Sequence, residues 1–296
     1  MPVDGPVPGW LFSIVAAATL FVVMFDLGLA IPPRELWRAA KRPVLLAQAA
    51  FAAVVAVPAI AWLLCRALDL PRSAEIGIML MAIAPGAPVA LRRSLGAGGH
   101  RVFAPALQML VVALAIVSMP LAVAAFDEYY GSVADIDPRE LARQVFFAQF
   151  LPLALGMTFV RLFPAQARRF EKELHEAAGW LLAGLVVLAL ANIWRPVADV
   201  HWRALLAIVA ITALSLWTGH LMGGGERATR TATAISCGMR NTGLALLVAA
   251  LNRAPEGVVA AILAYFVIGA ITVVPYIIWR KGRSPAPSPG EAHGKG

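Results

Sequence analysis

The sequence predicts an all-α polytopic membrane protein of nine transmembrane helices, an inverted five-helix repeat with its first helix missing and two broken helices crossing at the midplane. Three observations carry this. Of 296 residues, 60% are hydrophobic and 14% charged, where a soluble domain carries about 25% charged residues. Apolar blocks of about 20 residues, the length that crosses a bilayer, follow one another and leave no stretch for a sizeable soluble domain. Two of those blocks are interrupted near their middles, five blocks apart.

Taken in order, the helices are predicted at 10–31, 43–66, 75–96, 101–126, 144–163, 177–196, 202–222, 227–252 and 256–279. Helices are required because lipid offers no partner to unsatisfied backbone groups. The first block is too long for a signal h-region and has no basic start, so it is expected to remain as a membrane helix. The third carries Pro85-Gly86 and Pro88, and the eighth carries Cys237-Gly238 within the small polar run Thr229 to Ser236. Proline removes a backbone donor and glycine lowers helix propensity, so both points are candidates for unwinding. The segment 164–177 reads as a surface amphipathic helix, and the Pro/Gly-rich tail as disordered. The expected division is 1–126 for the first half, 127–279 for the second and 280–296 for a cytoplasmic tail.

Lys and Arg on alternate sides of this layout number seventeen against seven. The richer side is the cytoplasm, which puts the amino terminus outside and the carboxyl terminus inside a cell (inner) membrane. The acidic connector from Asp127 to Glu140 then falls outside. Arg240 belongs to neither side. The formal charge of +8 is spread over connectors rather than gathered on a face, so nucleic acid is not an expected partner. Cys65 and Cys237 both lie in apolar segments and indicate no disulfide framework.

One Pro-Gly pair alone reads as an ordinary kink. Two breaks, five helices apart, place interrupted segments at corresponding positions of two oppositely oriented copies. That arrangement points to a secondary transporter with its site at the midplane. Each break also aims a half-helix amino terminus at mid-membrane, and such ends favour an anionic group.

Three segments resemble the bile acid:sodium symporter family. They are MFDLGLAIPPREL (24–36), GIMLMAIAPGAPVALRRSLGAGGH (77–100) and TATAISCGMRNTGLALLVAAL (231–251). The last looks like the family's most diagnostic stretch, ordinarily E-x-G-x-Q-N followed by a small residue and G-L-A. The resemblance implies a core domain holding both broken helices, a smaller panel domain that moves against it, and uptake of organic anions with two sodium ions. Carried over residue by residue, the sodium ligands are degenerate. The family's Ser-Asn falls on Ala90 and Leu91, its hydroxyl residues on the next helix on Ala104 and Gln108, and its shared glutamate on Ser236. The second-site glutamine falls on Arg240 and the glutamine of the second helix on Ala53, while Asn241 is kept. A hard cation needs several oxygen ligands, which Ala, Leu and Arg do not supply. Both sodium sites are therefore expected to be absent, with no cofactor, and sodium only if the family mechanism survives.

The expected substrate-binding set is Pro85, Gly86, Ser236, Gly238, Arg240, Asn241 and Thr242. An arginine at the centre of an apolar helix costs about 2.5–3.5 kcal/mol on insertion scales and usually marks a pathway or a partner. Two readings of Arg240 stand: a fixed cation for an anionic substrate, or a structural arginine satisfied by carbonyls freed at the break or by Asp26. Asp26 is either an interfacial carboxylate or a proton-coupling group. Arg92 and Arg93 read as headgroup anchors, Glu75 as an outer-surface residue at a helix start, and His175, His201 and His220 as solvated. No H-E-x-x-H, phosphate loop or Cys/His cluster is present, and no nucleophile–base pair suggests an enzyme. The expectation is an organic-anion transporter not driven by sodium, partnered by a small organic anion and the lipid bilayer, in an oligomeric state the sequence leaves open. The alternatives are a sodium-dependent symporter as in the family, and a non-transporting sensor or binding protein.

Overall fold

The computed structural model describes residues 8–31, 38, 41–130, 137–198 and 200–282, with backbone alone for residues 9, 127–130 and 192–198. Expectations for the tail beyond 282 and for most of the connector 32–40 lie outside these residues. Among the described residues all regular structure is helical. The helices are α1 (Gly9–Leu29), α2 (Pro43–Ala67), α3 (Arg72–Ile83), α4 (Pro88–Gly96), α5 (Phe103–Tyr130), α6 (Pro138–Leu162), α7 (Pro164–Ala198), α8 (Trp202–Met222), α9 (Arg227–Gly238), α10 (Thr242–Leu251) and α11 (Glu256–Lys281). The pair α3 and α4 is one span bent by 62°, and α9 and α10 together make another. Up to nine spans result among the described residues, as predicted.

Boundaries differ where polar residues extend a helix past its apolar block. Asp137 caps α6 by accepting from the Arg139 N–H at 2.9 Å, and Pro138 suits the first turn. The helix so begins six residues before its expected start at 144. The segment 164–177 is not a separate surface helix but the first half of the 35-residue α7; nothing in it breaks a helix. Likewise α5 continues to Tyr130 and α11 to Lys281, so the expected boundaries at 126 and 279 fall inside helices.

Helix α1 packs on α6, α7 and α10, and α6 and α7 in turn meet α5 and α11 of the larger body made by α2 to α5 and α8 to α11. Gly28 of α1 and Gly156 of α6 face each other so closely that a Cβ on either would strike the other helix's backbone. Small residues at such crossings let membrane helices approach without a hydrophobic driving force. Within the larger body contacts come in matched sets: α2 packs on α3 as α8 packs on α9, and α11 packs on α3 as α5 packs on α9. At the centre runs the span Arg227–Leu251, 89% buried. Its polar run survives there because the hydroxyls serve the backbone, Thr233 donating to the Thr229 carbonyl at 3.0 Å and Thr231 to Arg227 at 3.0 Å.

Candidate functional site

The first break starts where Pro85 has no N–H to continue α3. Gly86 follows with φ +80°, and α4 restarts with Pro88 in its first turn. The second break runs from Gly238 to Asn241, whose side-chain oxygen caps α10 by accepting from the Leu244 N–H at 3.1 Å. The two breaks touch, for the Asn241 N–H donates to the Ala84 carbonyl at 3.0 Å. Carbonyls loosened at the first break are taken by two glutamines. Gln149 of α6 donates through Nε2 to the Pro85 carbonyl at 3.2 Å, and Gln108 of α5 to the Ala87 carbonyl at 3.1 Å.

Arg240 lies in the second break, 5% exposed, and its Nη2 donates to the Ala53 carbonyl at 2.9 Å. That carbonyl is available for a local reason. Helix α2 widens into a π turn over Ala52–Ala56, so the Val57 N–H bonds to the Ala52 carbonyl. The next residue, Pro58, has no N–H to offer Ala53. Nε and Nη1 of Arg240 have no hydrogen-bond partner among the described residues, nor does a carboxylate pair with the guanidinium there. Neither partner considered for Arg240, a carbonyl freed at the break or Asp26, is the one it has: the Ala53 carbonyl belongs to the π turn of α2.

A cavity of about 470 Å³ lies between α1 and α7 on one side and the breaks, α4 and α11 on the other. Gly238, Arg240, Asn241 and Thr242 line it, with Arg93 on α4 and apolar walls that include Leu20, Val23, Val89 and Phe266. Pro85, Gly86 and Ser236, expected in the same set, do not line it. Pro85 and Gly86 turn toward Gln149 and Val112 instead, and Ser236 is buried in the last turn of α9 with its hydroxyl unpartnered.

The positions that the resemblance matched to sodium ligands are all buried: Ala53, Ala90, Leu91, Ala104, Gln108, Ser236 and Arg240. The two matched to glutamines, Ala53 and Arg240, meet in the hydrogen bond described above. Asp26 is buried at 5% exposure and accepts from Arg92 Nη2 at 3.2 and 3.1 Å through its two oxygens, with His175 Nδ1 at 3.1 Å. It ties α1 and α7 to α4. Arg93 borders the cavity rather than only the headgroups. Glu75 is buried in the first turn of α3, not at the surface. His175 and His220 are half-buried and engaged, His220 Nδ1 lying 2.8 Å from the Tyr276 hydroxyl. Sequence reasoning passed over Gln149, whose one signal is an amide in mid-span, and read Arg93 as a headgroup anchor because its place at the cavity depends on which face of α4 meets α1.

The family model described as the Sodium Bile acid symporter family matches residues 17–199. The match takes in α1 from residue 17, the first break and all of α2 to α7, and ends before α8. No curated protein matches the chain.

Proposed function

This chain belongs to the sodium bile acid symporter family, and from that premise we propose that it transports organic anions across the cell membrane without sodium, using Arg240 as a fixed cation. The observation that carries the proposal is the pairing of Arg240 with the Ala53 carbonyl while its Nε and Nη1, both buried, stand unpartnered in a residue that lines the cavity. A buried guanidinium with spare donors suits a carboxylate or sulfate, since charge-assisted hydrogen bonds are the strong ones. Sodium fits the donor set poorly. Ala53, Ala90, Leu91 and Ala104 bring no side-chain oxygen, the Gln108 amide oxygen and the Ser236 hydroxyl alone remain of the matched set, and a guanidinium repels a cation.

Family membership itself supports the competing reading, a sodium-coupled symporter, and one experiment separates them. Purified protein in proteoliposomes is given carboxylates and sulfates with sodium, then with potassium in its place. Equal uptake is expected; dependence on sodium overturns the proposal. Binding without flux would instead identify a sensor. The same assay under an imposed pH gradient reads a coupling role for Asp26, whose carboxylate is bridged by Arg92 and His175.

A further inference from the structure

The cavity has an uneven charge. Two arginines line it, Arg240 at the crossing and Arg93 on α4, and no Asp or Glu does. Asp26 of α1 pairs with Arg92 of α4 rather than with Arg93. Arg93 is exposed and has no carboxylate partner among the described residues. Between the two cations the wall is apolar, from Leu20 and Val23 to Val89 and Val273. A monoanion satisfies one guanidinium and leaves the second facing a largely apolar cavity.

We infer that the substrate is an organic dianion with an apolar middle, one acidic group held by Arg240 and the other by Arg93. The inference rests on the organic-anion reading above and sharpens it. Helix geometry sets the scale. Pro88 opens α4 at the break and Arg93 follows five residues on, about 7.5 Å along the axis at 1.5 Å per residue. Medium-length α,ω-dicarboxylates span that distance. The two arginines contribute unequally. Arg240 is buried and works in a water-poor setting, whereas Arg93 is exposed and its attraction is screened by salt.

The test compares heptanedioate with its monomethyl ester, by binding to the purified full-length protein in low salt. Heptanedioate is expected to bind about fivefold more tightly, the upper end for an exposed ion pair. Raising the salt should shrink that advantage. Arg93→Gln should erase it, bringing the diacid down to the affinity of the monoester, and Arg93→Lys should restore most of it. Arg93 is exposed, so these variants are expected to fold, and an unchanged thermal midpoint checks that. Equal affinity for diacid and monoester, or an advantage that survives in Arg93→Gln, overturns the dianion inference and leaves the organic-anion reading standing. If neither probe binds, nor any monoanion of the uptake screen, both readings fall together.

Discussion

At the scale of the residue, Arg240 decides most. Truncating one member of a buried charge-assisted contact costs about 2–5 kcal/mol, so Arg240→Gln should weaken anion binding by at least about thirtyfold. The fold should tolerate the change, because the guanidinium gives up one hydrogen bond to Ala53 and relieves the cost of two unpartnered buried donors. Thermal unfolding with and without ligand reads both halves: an unchanged or higher midpoint in the free protein, and no ligand-induced rise. A collapse of the free protein would instead make Arg240 a structural residue. This arginine was legible in the sequence as a lone charge amid an apolar helix, and so was the poverty of the sodium ligands. Its partner was not legible. The Ala53 carbonyl is freed by a π turn and Pro58, a backbone event that no side chain announces, and only the crossing of α2 with α9 brings it near.

At the scale of the element, the first break depends on Gly86. Its φ of +80° lies in the left-handed region, and a Cβ there would come within 2.7 Å of Gln149 Nε2 and Val112 Cγ2. Gly86→Ala should therefore destabilise the protein by about 1–3 kcal/mol. It should also push away the glutamine that satisfies the Pro85 carbonyl. The measurement is the thermal midpoint in detergent beside anion affinity, with Ala97→Gly, at a buried α4 carboxyl-terminal cap away from the breaks, as a control for general helix loosening. Equal midpoints for wild type and Gly86→Ala would show that the break relaxes without strain. The break itself was visible as Pro85-Gly86, because both residues act through the local backbone. The ends of α6 and α7 were not, since an apolar count stops where Asp137, Pro138 and the charged segment 164–177 begin, while the helix does not.

At the scale of the whole molecule, the cavity has a direction. It is lined by the second half of α1, by α4, and by α11 from Tyr265 to Ile277. Each of those segments runs from the crossing toward the connectors that hold the larger share of Lys and Arg. The charge bias predicts that this is the cytoplasmic side, in which case the cavity opens toward the cytoplasm. Opening to the other side would require α4 and α11 to shift along α1 and α7, the elements that bound the cavity. Val89 is a direct reporter, since it lines the cavity at 36% exposure. The native thiols supply little background, Cys65 and Cys237 being buried at 1% and 0%. In Val89→Cys, a membrane-impermeant maleimide should label inside-out vesicles quickly and right-side-out cells slowly. Bound anion should protect the cysteine in the vesicles. Labelling chiefly from outside would reverse either the orientation or the facing of the cavity, and a carboxyl-terminal reporter fusion distinguishes the two. An active reporter in the cytoplasm keeps the topology and assigns the reversal to the core's position against α1 and α7.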